Sequence, residues 1–344
     1  MEGGGVMRSA GEAITIADEF IIRTEREQKK EKLIRIMPAL VLLALILFFS
    51  IACPGSFFTL YNLKTILNQL SITLIISLGI TFVILTGSVD LSVDGVVGLA
   101  GSLVSVLVLN NKYTTSLGML GVLLSILAGV ACGFISGFIH VRFKISSFMV
   151  TYAMMAIAKG FAVMSYDGQF ANILDPFLLS VPSLSFFGVP LITWISIAVL
   201  LIAWLIQSKT AFGSYMYAVG TNESVPRMTG VNVGRVKILA FMWAGGCMAL
   251  AGILAALRLG SGVVDIGEGQ YFPAQAAVVI GGTSLAGGRG GVLNTLVGSL
   301  VITVLNVGLL LMGVNTYIRS GLQGLIIVIA VALTVYRNHR IICK

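Results

Sequence analysis

Long apolar blocks, more than any short motif, constrain what this chain can fold into. About ten blocks follow one another, and several approach the roughly 20 residues that a helix needs to cross a bilayer. Only 10% of the residues are charged, against about 25% in soluble domains. This pattern predicts an all-α polytopic membrane protein and excludes a soluble enzyme, a nucleic-acid-binding domain and a disordered chain. The blocks lie near residues 33–55, 65–86, 95–110, 116–139, 146–165, 189–207, 238–257, 272–286, 291–313 and 319–336.

Positive charge indicates how these spans are oriented. Lysine and arginine concentrate in the two ends of the chain and in the loops on one side, for example at Arg142 and Lys144. Loops rich in these residues stay in the cytoplasm. We therefore expect an inner-membrane protein with a cytoplasmic tail at residues 1–32, a transmembrane domain at 33–337 and a second cytoplasmic tail at 338–344. The net charge of +8 then belongs to membrane edges and does not indicate nucleic-acid binding.

Two carboxylates interrupt the apolar pattern between the second and third blocks. An ionisable group at membrane depth is costly and points to function. Ser88 or Asp90 is expected to cap a helix that starts near Leu91, so that the helix N-terminus faces a polar cavity. Asp90, Ser92 and Asp94 are therefore candidates for a substrate path. The alternative is that the two aspartates only cap a helix at the cytoplasmic interface.

A glycine-rich segment at residues 281–291 follows the start of the eighth block, with six glycines among its eleven residues. It is not a nucleotide-binding P-loop, because no Gly-Lys-Ser/Thr sequence occurs and no strand is expected before it. Two interpretations remain: a tight hairpin that lets helices approach closely, or part of the substrate path that includes Thr283 and Ser284. Gln275, at the start of a span, is a further candidate for a polar path.

The two interruptions fall at matching places in the two halves of the chain. The tetrapeptide Gly-Ser-Leu-Val follows each of them, at residues 101–104 and 298–301. Short, glycine-broken segments in corresponding positions are typical of discontinuous helices near a transport path. The sequence therefore suggests an internal repeat of a few helices.

Residues 208–237 form the longest predicted cytoplasmic connection. Asn222 is suited to cap a short helix, Glu223 to occupy its first turn and Gly230 to end it in the left-handed conformation. A connection of this length usually has a function. We expect a short amphipathic helix that a soluble partner contacts, and the alternative is a solvated connector.

No cluster for covalent, hydrolytic or metal chemistry stands out. The two histidines, His140 and His339, both flank predicted membrane edges, and the four cysteines form no Cys-x-x-Cys pair. We therefore predict that the chain is not an enzyme and has no catalytic residues, metal site or disulfide framework.

Four segments together resemble the ribose/xylose/arabinose-type permease subunits of bacterial ABC sugar importers. The resemblance runs from about residue 35 to the end of the chain, and its last two segments in order are the most specific. The segments are Gly-Ser-Val-Asp-Leu-Ser-Val at 87–93, Phe-Met-Val-Thr at 148–151, Tyr-Ala-Val-Gly-Thr-Asn-Glu at 217–223 and Ala-Ala-Val-Val-Ile-Gly-Gly-Thr-Ser-Leu-Ala-Gly-Gly-Arg-Gly at 276–290.

The resemblance implies a permease with a vitamin-B12-importer-like fold of about ten helices and an internal repeat. It implies a cytoplasmic ABC ATPase, a periplasmic solute-binding protein and a second permease copy or paralogue as partners in the lipid bilayer. The chain itself would carry a sugar or sugar-like solute and bind no cofactor, since the ATPase uses the ATP. The coupling helix that docks into the ATPase would lie within 208–237, with Asn222, Glu223, Arg227 and Gly230 as contact candidates.

The sequence also departs from that family. Asp94 stands where glycine is usual, Tyr152-Ala153 replaces Leu-Gly, and residues 271–273 replace a run similar to Glu-Leu-Asp. These positions surround the expected path, so the resemblance does not identify the solute. The first alternative hypothesis is an ion-coupled secondary transporter of a small polar solute, for which Asp90 and Asp94 are the available ion sites. The second is a membrane subunit that transports nothing.

Overall fold

The computed structural model describes residues 36–113, 116–315, 317–322, 324–325 and 328. The predicted tails at 1–32 and 338–344 lie outside the described residues, and so do His339 and Cys343.

The described part of the chain is mostly helical, with a few two-residue strands. The helices are α1 (Ile36–Ala52), α2 (Leu60–Leu85), α3 (Val93–Leu107), α4 (Met119–Phe143), α5 (Ser147–Tyr166), α6 (Pro176–Ser180), α7 (Leu191–Lys209), α8 (Ala211–Thr221), α9 (Ser224–Met228), α10 (Val233–Leu259), a 3-10 turn (Val264–Gly267), α11 (Tyr271–Ile280) and α12 (Val292–Leu311). Residues 317–322 are again helical. The strands are β1 (Ala171–Asn172), β2 (Ser185–Phe186), β3 (Val189–Pro190) and β4 (Ser261–Gly262).

These helices follow the apolar blocks of the sequence. Among the described residues, six helices are long and apolar enough to cross a membrane: α2, α4, α5, α7, α10 and α12. α1 and α3 are shorter apolar helices, and α11 has 10 residues. The prediction of a polytopic helical membrane protein is therefore confirmed.

Helix α2 is the centre of the bundle. Every residue from 70 to 86 is buried, and α2 packs against α7, α10, α11 and α12. Its small hydroxyl side chains bind neighbouring helices: the Ser77 hydroxyl donates to the Ala274 carbonyl at 3.2 Å, and the Thr81 and Thr295 hydroxyls are 2.7 Å apart. Such short polar contacts hold membrane helices together where the hydrophobic effect between them is weak.

Helices α4 and α10 touch through their backbones. Gly129 and Gly133 of α4 face Gly245 of α10, and a Cβ atom built on Gly129 would lie 2.5 Å from the Gly245 carbonyl oxygen. The absence of side chains at these positions is what allows the close approach. This glycine seam, defined as Gly129, Gly133 and Gly245, joins the first and second halves of the bundle.

A small antiparallel cover lies at the end of the bundle that is predicted to face outward. β1 pairs with β4, and β2 pairs with β3. Asn110, just after α3, bridges to Ile173, and its side-chain oxygen accepts the backbone N–H groups of Lys112 and Tyr113. The connections between spans at this end are therefore ordered by backbone pairing.

The ends of α2 and α11 have the same backbone geometry. After α2, Gly87 has φ +75° and the Ser88 N–H donates to the Val83 carbonyl at 3.2 Å. After α11, Gly282 has φ +96° and the Thr283 N–H donates to the Val278 carbonyl at 3.1 Å. Both are Schellman-type ends with glycine in the left-handed position. Each leads into an irregular segment and then into a helix that carries Gly-Ser-Leu-Val, α3 in one case and α12 in the other.

Two predicted boundaries shift in the structure. The helix expected to start near Leu91 begins at Val93, and Asp90 accepts the N–H of Ser92 just outside it, while the Ser88 hydroxyl has no hydrogen-bond partner among the described residues. Of the two residues expected to cap this helix, Asp90 therefore binds at its start and Ser88 does not. The connection predicted at 208–237 is shorter, because α7 extends to Lys209 and α10 already begins at Val233.

Candidate functional site

The glycine-rich segment 281–291 folds into a closed loop between α11 and α12. The Thr283 hydroxyl accepts the N–H of Gly291 at 3.3 Å, and the Ser284 N–H donates to the Arg289 carbonyl at 3.0 Å. The Ser284 hydroxyl also accepts the N–H of Ala286. Thr283 is buried and Ser284 is partly buried, and both side chains stabilise the loop through hydrogen bonds within it. Their predicted role in a substrate path stays a prediction.

This loop packs directly on the end of α2. The Gly288 N–H donates to the Leu85 carbonyl at 3.0 Å, and a Cβ atom on Gly287 would lie 2.8 Å from the nitrogen of Gly87. Gly220 of α8 approaches the same Leu85 carbonyl. The two glycine-containing breaks and α8 thus meet at one point, which lies at the end of the bundle predicted to be cytoplasmic.

Two side chains tie the loop to α7 and α8. The Gln207 side-chain oxygen accepts the N–H of Val292, the first residue of α12, at 2.7 Å. The Gln207 amide nitrogen donates to the Tyr217 hydroxyl at 2.6 Å, and that hydroxyl donates to the Gly290 carbonyl at 2.8 Å. Burial raises the pKa of Tyr217, so its hydroxyl keeps the proton that it donates at neutral pH.

The four coupling candidates lie between α8 and α10. Asn222 ends α8 and its side-chain oxygen accepts the N–H of Ser224 at 2.9 Å, so it links α8 to α9. Glu223 precedes α9 and makes no side-chain cap. Gly230 has φ +81°, so the predicted left-handed end of the short helix is confirmed. The structure therefore brings these residues together, while their contact with a partner stays a prediction.

Glu223 forms the charged centre of this connection. One carboxylate oxygen accepts from Lys237 of α10 at 2.5 Å, and the other accepts from Arg227 of α9 at 3.2 Å. Partial burial on its own would raise the pKa of Glu223, but the hydrogen bond and charge of Lys237, with the charge of Arg227, outweigh burial and lower the pKa. Glu223 is thus ionised at neutral pH and pins α9 to α10.

Helix α9 presents an uncovered apolar pair. Val225 and Met228 are 57% and 87% exposed, and their three-residue spacing puts them on one face of the helix. Pro226, which lies between them in the sequence, is buried. The connection therefore offers an apolar face next to the charged group centred on Glu223.

Asp90 sits in the break between α2 and α3. Its Oδ1 accepts the N–H and the hydroxyl of Ser92 at 2.9 and 2.6 Å, whereas Oδ2 has no hydrogen-bond partner among the described residues. Asp90 and Ser92 are 1% and 3% exposed. The irregular backbone on either side of Asp90 is bound by α5: the Val89 N–H donates to the Ser147 hydroxyl, and the Leu91 N–H donates to the Thr151 hydroxyl.

Asp94 bridges two broken segments. Its Oδ1 accepts the N–H of Tyr271, the first residue of α11, at 2.9 Å, and its Oδ2 accepts from Gly269 at 3.4 Å. On the same side, Lys159 of α5 forms an ion pair with Glu268 at 3.1 Å. Asp94 therefore caps α11, whereas the alternative interpretation has the two aspartates cap a helix at the cytoplasmic interface.

Gln275 lies one turn further along α11. It is 6% exposed, and its side-chain oxygen has no hydrogen-bond partner among the described residues. The six path candidates therefore occupy three places. Asp90, Ser92 and Asp94 lie at the α2–α3 break, Gln275 lies within α11, and Thr283 and Ser284 lie in the loop that follows it. Their lining of a common path stays a prediction.

Sequence reasoning missed Gln207 and Tyr217 as a pair. Gln207 stands out only as a polar residue near the end of an apolar helix, and Tyr217 begins one of the recognised segments. Their bonds to Gly290 and Val292 cross 73 and 85 residues of chain, so local pattern carries no signal for them.

Comparison with known proteins identifies the family. Residues 62–331 match the family described as branched-chain amino acid transport system / permease component. The chain belongs to this permease family. The match spans α2 to α12, so the glycine-rich loop, the α8–α9 connection and the α2–α3 break of the permease all lie inside it.

Individual relatives resemble the permease over most of its length. It is 36% identical over 300 residues to the ribose import permease RbsC of Escherichia coli K12, covering 85% of this chain and 91% of the relative. The galactose/methyl galactoside import permease MglC of the same organism is 33% identical over 309 residues, covering 86% and 91%. The probable ABC transporter permease YphD of Escherichia coli K12 is 34% identical over 300 residues, covering 87% of this chain and 89% of the relative. The resemblance inferred from the motif segments is thereby confirmed, although no solved structure matches the chain.

Proposed function

We propose that this chain is the transmembrane permease subunit of an ATP-driven ABC importer that moves a sugar or sugar-like solute across the inner membrane. The observation that carries the proposal is similarity over most of the chain to permeases named for ribose and galactose import. A bundle with few charged side chains suits a neutral, hydroxyl-rich solute better than an ion. The chain binds no cofactor of its own, and a partner ATPase binds and hydrolyses the ATP.

The finer architecture belongs to the same proposal. The full chain forms about ten spans in a vitamin-B12-importer-like fold, with both termini in the cytoplasm. The matching ends of α2 and α11, each followed by Gly-Ser-Leu-Val on the next helix, support an internal repeat. Lysine and arginine at the predicted cytoplasmic edges support the orientation.

The α8–α9 connection is the proposed docking site for the ATPase. Val225 and Met228 offer an apolar face, and Glu223 holds that face on α10 through Lys237. An exposed apolar pair with charged neighbours is a typical centre and rim for a protein contact. A periplasmic binding protein delivers the solute at the opposite end, and a second permease copy or paralogue completes the path.

Purification from native membranes tests the partnership. We expect an ATPase to co-purify with the tagged wild-type chain, and Met228→Asp to reduce its amount because a charge then enters the apolar contact. Phe187→Asp is a matched control, since it also places a charge at an exposed apolar position but in the turn between β2 and β3, at the predicted outer end. Equal recovery of ATPase with wild-type chain and Met228→Asp contradicts the docking site.

Uptake by reconstituted vesicles tests the transport itself. Vesicles that contain the purified complex and its binding protein are expected to accumulate radiolabelled ribose or galactose only when ATP is present on the cytoplasmic side. Glu223→Ala and Gly230→Pro should reduce this uptake while the protein still inserts. Normal uptake by both variants contradicts the coupling role of this connection.

The ion-coupled transporter is the alternative function. The observation that favours it is the buried Asp90, whose Oδ2 has no hydrogen-bond partner among the described residues. That function requires uptake to collapse when an uncoupler dissipates the ion gradient at constant ATP. Under the importer proposal, uptake continues under those conditions.

A further inference from the structure

The hydrogen bonds through Gln207 and Tyr217 form a closed chain. It starts at the N–H of Val292, passes through both side chains and returns to the carbonyl of Gly290. The Gln207 amide uses its oxygen as acceptor and its nitrogen as donor, and the Tyr217 hydroxyl is both acceptor and donor. Neither side chain can be replaced by an apolar one without leaving two partners unmade.

We propose that Gln207 and Tyr217 are positioning residues that pass the movement of the α8–α9 connection into the glycine-rich loop, and through it into α11 and α12. This inference rests on the proposed function, because it assumes that a partner ATPase moves α8 and α9. It adds the route by which that movement reaches the membrane helices.

The loop is built to move as one piece. Thr283 closes it onto Gly291, and Ser284 pairs with Arg289 across it, so a displacement of Gly290 carries the whole loop. The loop joins the last residue of α11 to the first residue of α12. A pull on Gly290 by Tyr217 therefore acts on both helices together.

The backbones of α8 and the glycine-rich loop are in close contact. A Cβ atom on Gly288 would lie 2.9 Å from the backbone nitrogen of Thr221, and one on Gly287 would lie 3.0 Å from the Cα of Gly220. Packed contacts of this kind transmit displacement because they are not compressible. Movement of the start of α12 then reaches α2, at the centre of the bundle, through the hydrogen bond between the Thr295 and Thr81 hydroxyls.

The test measures solute taken up per ATP hydrolysed by the reconstituted complex, with radiolabelled ribose or galactose as the probe. Tyr217→Phe and Gln207→Leu remove the bonds with little change in volume. Tyr215→Phe is the control on the same helix, since Tyr215 is partly exposed on α8 and outside this chain of bonds. The amount of bound ATPase and the thermal stability of each purified complex are measured alongside.

We expect Tyr217→Phe and Gln207→Leu each to lower uptake per ATP about fivefold or more, with a modest loss of thermal stability from the unpaired groups and wild-type ATPase binding. The double variant should be no worse than the worse single variant, because both act in one chain of bonds. Tyr215→Phe should match the wild type. A residue that only stabilises the fold would lower the thermal stability and the recovery of the complex, and would leave the uptake per ATP of the recovered complex unchanged.

Three outcomes overturn the inference. One is a wild-type value of uptake per ATP in both single variants, and another is a loss of uptake that is explained by loss of bound ATPase. The third is an effect in the double variant that equals the sum of the effects of the single variants. Each requires that the wild-type complex shows ATP-dependent uptake. If the wild-type complex takes up neither ribose nor galactose with ATP, the proposed function has failed for those two sugars. The two failures are therefore distinguishable.

Discussion

The carboxylate of Asp94 accepts a hydrogen bond from the backbone N–H of Tyr271 at 2.9 Å, across 177 residues of chain. Asp94 lies in the first turn of α3, and Tyr271 is the first residue of α11. One side chain thus satisfies one of the free N–H groups at the start of a helix in the other half of the bundle. The start of α11 is held in place by a residue of α3.

This bond predicts a graded response to substitution at Asp94. Asp94→Ala should destabilise the protein by about 0.5–2 kcal/mol, the usual cost of losing a helix cap, and Asp94→Asn by less because it keeps one acceptor oxygen. Thermal unfolding of the purified protein measures both. Asp265→Asn, at an exposed position on the neighbouring turn, serves as the control. Equal stability of Asp94→Ala and wild type would show that the cap contributes nothing.

The ion pairs of Glu223 predict a pH dependence of the α8–α9 connection. Because folding lowers the pKa of Glu223, the stabilisation is fully present above the ordinary glutamate pKa of about 4.3 and is lost as the pH falls through the lower value of the folded state. The hydrogen-exchange protection factors of residues 222–232 should therefore fall below that pH in the wild type. Glu223→Gln should exchange faster at pH 7 and lack the acid step. The same acid step in Glu223→Gln would assign it to another group.

The glycine seam predicts opposite effects for two adjacent residues. A Cβ atom on Gly245 would collide with the Gly129 backbone, whereas one on Gly246 would meet only the Val130 side chain at 3.2 Å. Gly245→Ala should therefore destabilise by about 1–3 kcal/mol, as overpacking does. Gly246→Ala should be neutral or stabilising by up to about 1 kcal/mol through helix propensity. Thermal unfolding of the two variants measures whether their changes in stability differ in sign. Equal changes would show that the packing of α4 on α10 does not require glycine at position 245.

Asp90 discriminates between the two transport mechanisms. Asp90→Asn keeps the oxygen that binds Ser92 and removes the ionisable group. An ATP-driven importer should keep uptake within about threefold of wild type, since an isosteric amide changes binding energy by less than 1 kcal/mol when the main bond is kept. Loss of uptake in Asp90→Asn, together with loss of uncoupler sensitivity that the wild type possesses, would instead place an ion site at Asp90.

Sequence predicts the six long apolar helices because each is a long apolar run, and it predicts Gly230 because a helix end needs a left-handed residue there. It misses what distant contacts decide. Hydropathy does not distinguish α2, which is buried at the centre of the bundle, from α4, which is largely uncovered. Both helices have the hydropathy of membrane spans. Asp94 looks like a local cap, yet its partner is on α11. Gln207 and Tyr217 become a pair only once α7, α8 and the loop have assembled.

The bond from Gly288 to the carbonyl of Leu85 has a consequence for how the protein is made. Synthesis delivers the end of α2 long before the ribosome reaches the glycine-rich loop. Until then, the turn after Leu85 lacks the surface against which it finally rests. The first half can therefore enter the bilayer early but can reach its finished form only when the second half arrives. Truncation before residue 281 should accordingly leave an inserted but immature first half, open to quality-control proteases.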